Sequence, residues 1–152
     1  MDIYEKILDD HHNIRDTIEE LMETDNSQIE KRMRMLKELE RLLVSHTNSE
    51  EQTLYQALFE TNDKEAKAQV KKSRKEHDQA NEKLEVLKDT PMDSDLFLRN
   101  LASFKEVIEA HFDEEEDEIF DFARELLSKE EEHLIEEELE ELEDDTWNRP
   151  YI

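Results

Sequence analysis

His46 is followed four residues later by Glu50, and 65 residues further on the same pair recurs as His111 and Glu115. One turn of helix separates i from i+4, so each pair projects an imidazole and a carboxylate from one helical face, which is a metal-ligand spacing. The duplication reaches well beyond the pairs. Leu36, Leu39, Leu43, His46, Glu50, Glu51, Leu54, Tyr55 and Ala57 superpose on Leu101, Phe104, Ile108, His111, Glu115, Glu116, Ile119, Phe120 and Phe122. A shift of 66 lays His11, Ile14, Ile18 and Leu21 over His77, Ala80, Leu84 and Leu87. The chain is therefore one helix pair written twice, and two αα-hairpins close naturally into an up-down-up-down four-helix bundle.

Composition agrees with an all-α fold. There is no Gly, only two Pro, and 43% of the residues are charged, which favours long helices over a turn-rich β fold. At 152 residues the chain fits one ordinary domain. With no Cys, neither a disulfide framework nor a thiolate site is possible, so any metal must be held by His and carboxylates. The net charge of −25 repels phosphate backbones and anionic lipid, so nucleic acid and membrane are disfavoured as partners and cations or a basic protein favoured. The first residues form no signal sequence and no apolar run approaches a membrane span, so the reading is a cytoplasmic protein.

The apolar stripes place the helices. Ile7, His11, Ile14, Ile18 and Leu21 predict one over about residues 2–23. Ser27 with Glu30 reads as a capping box opening a second, to about residue 60, with Ile29, Met33, Leu36, Leu39, Leu43, His46, Glu50, Leu54 and Ala57 inward. A third starts at Asn62, with Glu65 as reciprocal cap, carries Val70, His77, Ala80, Leu84 and Leu87, and ends at Thr90-Pro91. The fourth, about Ser94 to Leu127, buries Leu101, Phe104, Ile108, His111, Glu115, Ile119 and Phe122. Residues 1–127 thus form the bundle. Residues 128–152 add a short acidic C-terminal helix to about Glu143, opened by Ser128 with Glu131 and edged by Leu134, Ile135, Leu139 and Leu142, then a tail with Trp147, Pro150 and Tyr151.

Glu50 and Glu115 are the decisive residues, because an ionised carboxylate on an inward stripe carries a desolvation penalty of several kcal/mol unless compensated. No inward stripe supplies Lys or Arg. A cation would compensate; so would two carboxyls sharing a proton, although four His on four helices favour the cation. Four imidazoles and two carboxylates suit borderline divalent metals, and two facing carboxylates can bridge two ions about 3.5–4 Å apart.

In order along residues 3–123, Asp10-His11-His12-Asn13-Ile14, His46-x-x-x-Glu50-Glu51, Glu76-His77 and His111-x-x-x-Glu115-Glu116 resemble the hemerythrin-like, His-His-Glu cation-binding family. The resemblance implies a bundle holding two non-haem iron ions with an oxo or hydroxo bridge. It makes His11, His46, His77 and His111 terminal ligands and Glu50 and Glu115 bridging ones. It also implies O₂, NO or peroxide as the small ligand, in sensing, scavenging or iron handling, with peroxide- or NO-reducing enzymes and iron–sulfur repair factors as alternatives. Oxygen carriers of that family have a fifth His, from an H-x-x-x-H pair on the third helix, where this chain has Ser73 and Asn81 four residues from His77. That departure argues against reversible oxygen storage. Repair members usually carry a Cys-containing N-terminal segment, and this sequence has no Cys.

The remaining candidates read as bystanders. His12 lies about 100° off the stripe, on the flank. His133, with Glu130 three residues before it, matches half of a ferritin-type motif and lacks the other half. Glu51 and Glu116 read as solvated or outer-lying acids, and Tyr55 and Phe120 as packing. The acidic stretch Asp113–Glu118 is a cation funnel or a solvated face.

Overall fold

The computed structural model describes residues 1–148, with side chains as far as Glu143. It is all-α, with no strand among the described residues. Seven α-helices follow one another among the described residues: α1 (Ile3–Met22), α2 (Ile29–Gln52), α3 (Leu54–Glu60), α4 (Lys64–Asp89), α5 (Phe97–Glu114), α6 (Phe120–Leu126) and α7 (Lys129–Asn148). A π-helical turn, Glu115–Ile119, joins α5 to α6. The four rods of the bundle are α1, α2 with α3, α4, and α5 with α6, while α7 lies across α1 and α2. Among the described residues no helix is long and apolar enough to cross a membrane.

Two apolar clusters fill the interior. One gathers Ile14, Ile18, Leu39, Leu43, Leu84 and Phe104 with their neighbours; the other gathers Ile7, Leu54, Val70, Ile119, Ile135 and Leu139 with theirs. On every rod the His falls between residues of the two clusters, so the polar layer is sandwiched between apolar ones. Ile135 and Leu139 dock α7, whereas Leu134, expected on that edge, is 57% exposed. The Ser128–Glu131 capping box forms as read, each backbone N–H bonded by the other's side chain. The helix runs past Glu143 to Asn148 because nothing before Pro150 stops it. The rest of the expected tail, with Trp147's side chain, Pro150 and Tyr151, lies outside the described residues.

Several local expectations are corrected. Ser27 does not cap α2: its N–H and hydroxyl both turn to Asp25, and the helix begins at Ile29. Ile29 and Met33 are exposed, and Arg32 and Met35 are buried in their place. Arg32 faces inward because its guanidinium finds the Thr24 Oγ1 and carbonyl, Asn26 Oδ1 and the Met92 carbonyl, and lies 4.4 Å from the Phe97 ring centre. A cation therefore does sit on an inward stripe, 14 residues and about 21 Å of helix from His46. Asp63, not Asn62, caps α4 through its bond to the Ala66 N–H, while Asn62 takes the left-handed conformation at φ 63°.

The two rods that carry a His-x-x-x-Glu pair are each interrupted at or just after their Glu. The second breaks at Thr53 (φ −118°, ψ −81°), and the fourth passes through the π turn, where the Phe120 N–H reaches back to the Glu115 carbonyl. Thr53 plus 65 is Glu118, so both interruptions fall at the same place in the repeat. Each advances the inward face by a residue, which buries Leu58 and Ala123 and leaves the expected Ala57 and Phe122 half-buried.

Candidate metal centre

The stripes of α1, α2, α4 and α5 carry His11, His46 with Glu50, His77, and His111 into one layer, and Glu115 enters it from the first residue of the π turn. All six are at most 1% exposed. The layer divides in two. His11, His46, Glu50 and Glu115 present ligand atoms within 4.8 Å of one another, and so do Glu50, His77, His111 and Glu115. Both glutamates are thus common to a His11–His46 side and a His77–His111 side.

The imidazoles turn Nε2 inward. His11 Nε2 lies 2.9 Å from Glu115 Oε1, and His46 Nε2 lies 3.1 Å from Glu50 Oε1. His77 Nε2 and His111 Nε2 face each other at 3.0 Å, with Glu50 Oε1 3.7 Å from the former and Glu115 Oε2 3.5 Å from the latter. His46 Nε2 and both Glu50 oxygens find no hydrogen-bond partner outside the layer. Buried acceptors that meet only members of the same layer, and confronted ring nitrogens, are what a donor set for a cation contains, and the residues fit a bound metal.

Each Nδ1 turns outward to a further carboxylate. His46 meets Asp10 at 3.0 Å, His77 meets Glu51 at 3.2 Å, His111 meets Glu76 at 2.9 Å, and His11 meets Glu116 at 2.8 Å. These contacts run one way round the bundle: α1 supplies the acid for α2, α2 for α4, α4 for α5, and the π turn for α1. Each acid fixes the tautomer and plane of the next helix's imidazole. Asp10 and Glu76 entered the reading of the sequence only as part of the family motifs, with no role of their own, and Glu51 and Glu116 only as outlying acids. The available signal was adjacency, since each acid is next in sequence to a member of the central six.

Electrostatics follow the burial. Burial drives the Glu50 carboxyl well above the usual carboxylate range, and the Glu115 charge adds to the rise. Glu115 is buried as deeply, yet hydrogen bonds from Glu50, His11 and His111 hold it well below that range, so the pair shares a proton. Burial opposes charge on His111, but Glu115 and Glu76 outweigh it and raise the imidazole to about 10. On His46 burial is likewise outweighed, by Glu50 and Asp10. At His77 burial prevails and the value falls. The acids draw protons into the layer in the absence of a cation, and bound metal would displace them.

Tyr55 does more than pack. Its buried hydroxyl donates to Glu115 Oε2, lies 3.4 Å from His77 Nε2, and is hydrogen-bonded to Ser73. Ser73, fully buried, stands where a fifth His would stand on α4, and Asn81 is exposed. Phe120, its repeat equivalent, packs edge-on to Tyr4 with ring centres 5.1 Å apart. His12 and His133 are exposed beside Asp16 and Glu137.

A helical bundle burying four imidazoles and two carboxylates between apolar layers belongs to the class of bundle metal-binding proteins. The sequence profile of the hemerythrin HHE cation binding domain matches residues 2–123, and the chain belongs to that family. Its fold is similar to that of a hemerythrin HHE cation binding domain-containing protein from Mycobacterium kansasii, known from a crystal structure. The two share 25% sequence identity at a TM-score of 0.84, covering 96% of this chain and 87% of the other. A comparison with curated proteins gives no significant match.

Proposed function

We propose that the protein holds two iron ions in this layer and that the centre reacts with O₂, NO or peroxide. One ion is assigned to His11 and His46, the other to His77 and His111, with Glu50 and Glu115 shared. The observation that carries this reading is the division of the six residues into two four-membered donor sets with both glutamates in common. Membership of a cation-binding family and the fully buried Glu50 carboxyl support it. Bound iron would supply one-electron redox chemistry and positions open to a small ligand.

The chain's own residues supply the rest. The outer carboxylates hold the imidazole planes, the apolar layers exclude bulk water, and Tyr55 holds a proton at its hydroxyl beside Glu115. Ser73 in the place of a fifth His argues against reversible oxygen storage. Tyr55 favours the enzymatic alternative, since reduction of peroxide or NO consumes protons as well as electrons. Stopped-flow mixing of the reduced, iron-loaded protein with O₂, NO and peroxide tests this. Rapid change of the optical spectrum with at least one of them is expected, and sustained turnover identifies the enzyme. Inertness toward all three would overturn the reactivity.

A further inference from the structure

The four outer carboxylates are backed differently. Glu116 Oε2 lies 3.4 Å from Arg15, and Glu51 Oε1 3.7 Å from Arg74, both cations belonging to the bundle. Glu76 is hydrogen-bonded to Glu114, which itself holds Lys72 at 2.6 Å and Gln69 at 2.9 Å near the surface. Asp10, the repeat equivalent of Glu76, has a bundle cation in Lys6 of α1 and is the one of the four that also takes support from α7. Its carboxylate has a polar atom of Glu143 of α7 within 4.8 Å, and Lys6 Nζ reaches Glu143 at 2.9 Å and Asp10 at 3.4 Å.

Glu143 is the anomalous acid of α7. Its side chain is 5% exposed, while every other glutamate of that helix is exposed or half-buried. Burying it costs free energy that Ile135 and Leu139 do not require in order to dock the helix. Nor is the cost needed for Lys6 alone, which already has Asp10. What Glu143 adds is a second hydrogen-bonding group on the acid that orients His46. Asp10, His46 and Glu143 bring polar atoms within 4.8 Å of one another, so the contact leads from a surface helix to the inner layer in two steps. A cavity of about 80 Å³, lined by Lys6, Asp9, Asp10, Asn13, Ser45 and Glu143, adjoins the contact. If α7 lifted, water there would compete for the bond that fixes Asp10.

We propose that Glu143 is a positioning residue of the metal centre: α7 seats it against Asp10, which fixes the His46 imidazole, so that the C-terminal helix secures the metal position on the His11–His46 side only. The proposal rests on the two-metal reading, and the test separates their failures.

The full chain, as wild type, Glu143→Ala and Glu143→Gln, is loaded with iron(II) without oxygen, and release to a chelator is followed by its colour. In Glu143→Ala one ion of the two is expected to leave roughly tenfold faster, while the other keeps its wild-type rate. Glu143→Gln is expected to restore the slow rate, because its amide N–H donates to Asp10 in place of the carboxyl. If the alanine variant does not fold, Glu143→Leu fills the volume without a polar atom and has the same expected outcome. Unchanged release, equal acceleration of both ions, or failure of Gln to rescue would overturn the proposal while leaving the metal reading intact. A wild type that retains no iron would overturn both.

Discussion

Each imidazole of the layer stands between an inner carboxylate or its equivalent at Nε2 and an outer carboxylate at Nδ1. On the proposed assignment, removing an inner residue deletes a ligand, so His46→Ala and Glu115→Ala should lose metal and melt at lower temperature than the loaded wild type; metal content by elemental analysis and a thermal melt check this. Removing an outer acid spares the ligands but frees an imidazole plane. Glu116→Ala and Glu76→Ala should weaken metal binding by about 10–100-fold in a competitive chelator titration. Arg32 is the contrasting case. Arg32→Ala strands its Thr24, Asn26 and Met92 acceptors and should cost roughly 3 kcal/mol, a fall of about 10 °C in melting temperature, with metal content unchanged because the site is a bundle half away. The inner six were legible because helix period and spacing put them on inward stripes. The outer acids were not, since a contact from one helix to the next leaves no periodicity. Arg32 escaped because carbonyls of two loops, which no stripe encodes, satisfy it.

The rods were legible as to number and order, and less so at their ends and in their interruptions. Asp25 outcompeted the α2 backbone for Ser27, and Asp63 displaced Asn62 as cap, both by short-range hydrogen bonds that the capping pattern alone does not rank. The breaks after Glu50 and Glu115 were invisible because Leu54, Tyr55, Ile119 and Phe120 continue the apolar pattern across them. The helix α7 carries the clearest pH dependence. In the metal-free protein, burial, with Asp10 adding to it, raises Glu143 from 4.5 to about 8. A raised acid stabilises the fold while protonated, fully below its unfolded value, and that contribution is lost as pH rises through the folded value. Asp10 shifts downward, burial being outweighed by His46 and Glu143, so its contribution is present above 3.8 and lost only in strong acid. The wild type should therefore lose stability between about pH 5 and 8 in denaturant melts, and Glu143→Gln should flatten that slope. Parallel profiles would contradict the assignment.

For the whole molecule, the duplicated helix pair explains the architecture and α7 breaks its symmetry. Twofold repetition delivers two equivalent donor sets, whereas Tyr55 and Ser73 appear on the His77–His111 side only and Glu143 on the other. The net charge of −25 draws cations toward the bundle and strains the compact state by self-repulsion. Moderate salt should accordingly raise the melting temperature of the metal-free chain and slow its loading with iron(II). Loading itself should stabilise the native state by about 2.7 kcal/mol at a hundredfold excess of free metal over Kd, and chelation should reverse the gain.

The central claim is that six buried side chains make two metal positions rather than one or none. Iron per chain, measured on the wild type after anaerobic reconstitution and exhaustive desalting, tests it directly. Two ions per chain are predicted, falling in Glu115→Ala; a wild type that retains one ion, or none, would contradict it.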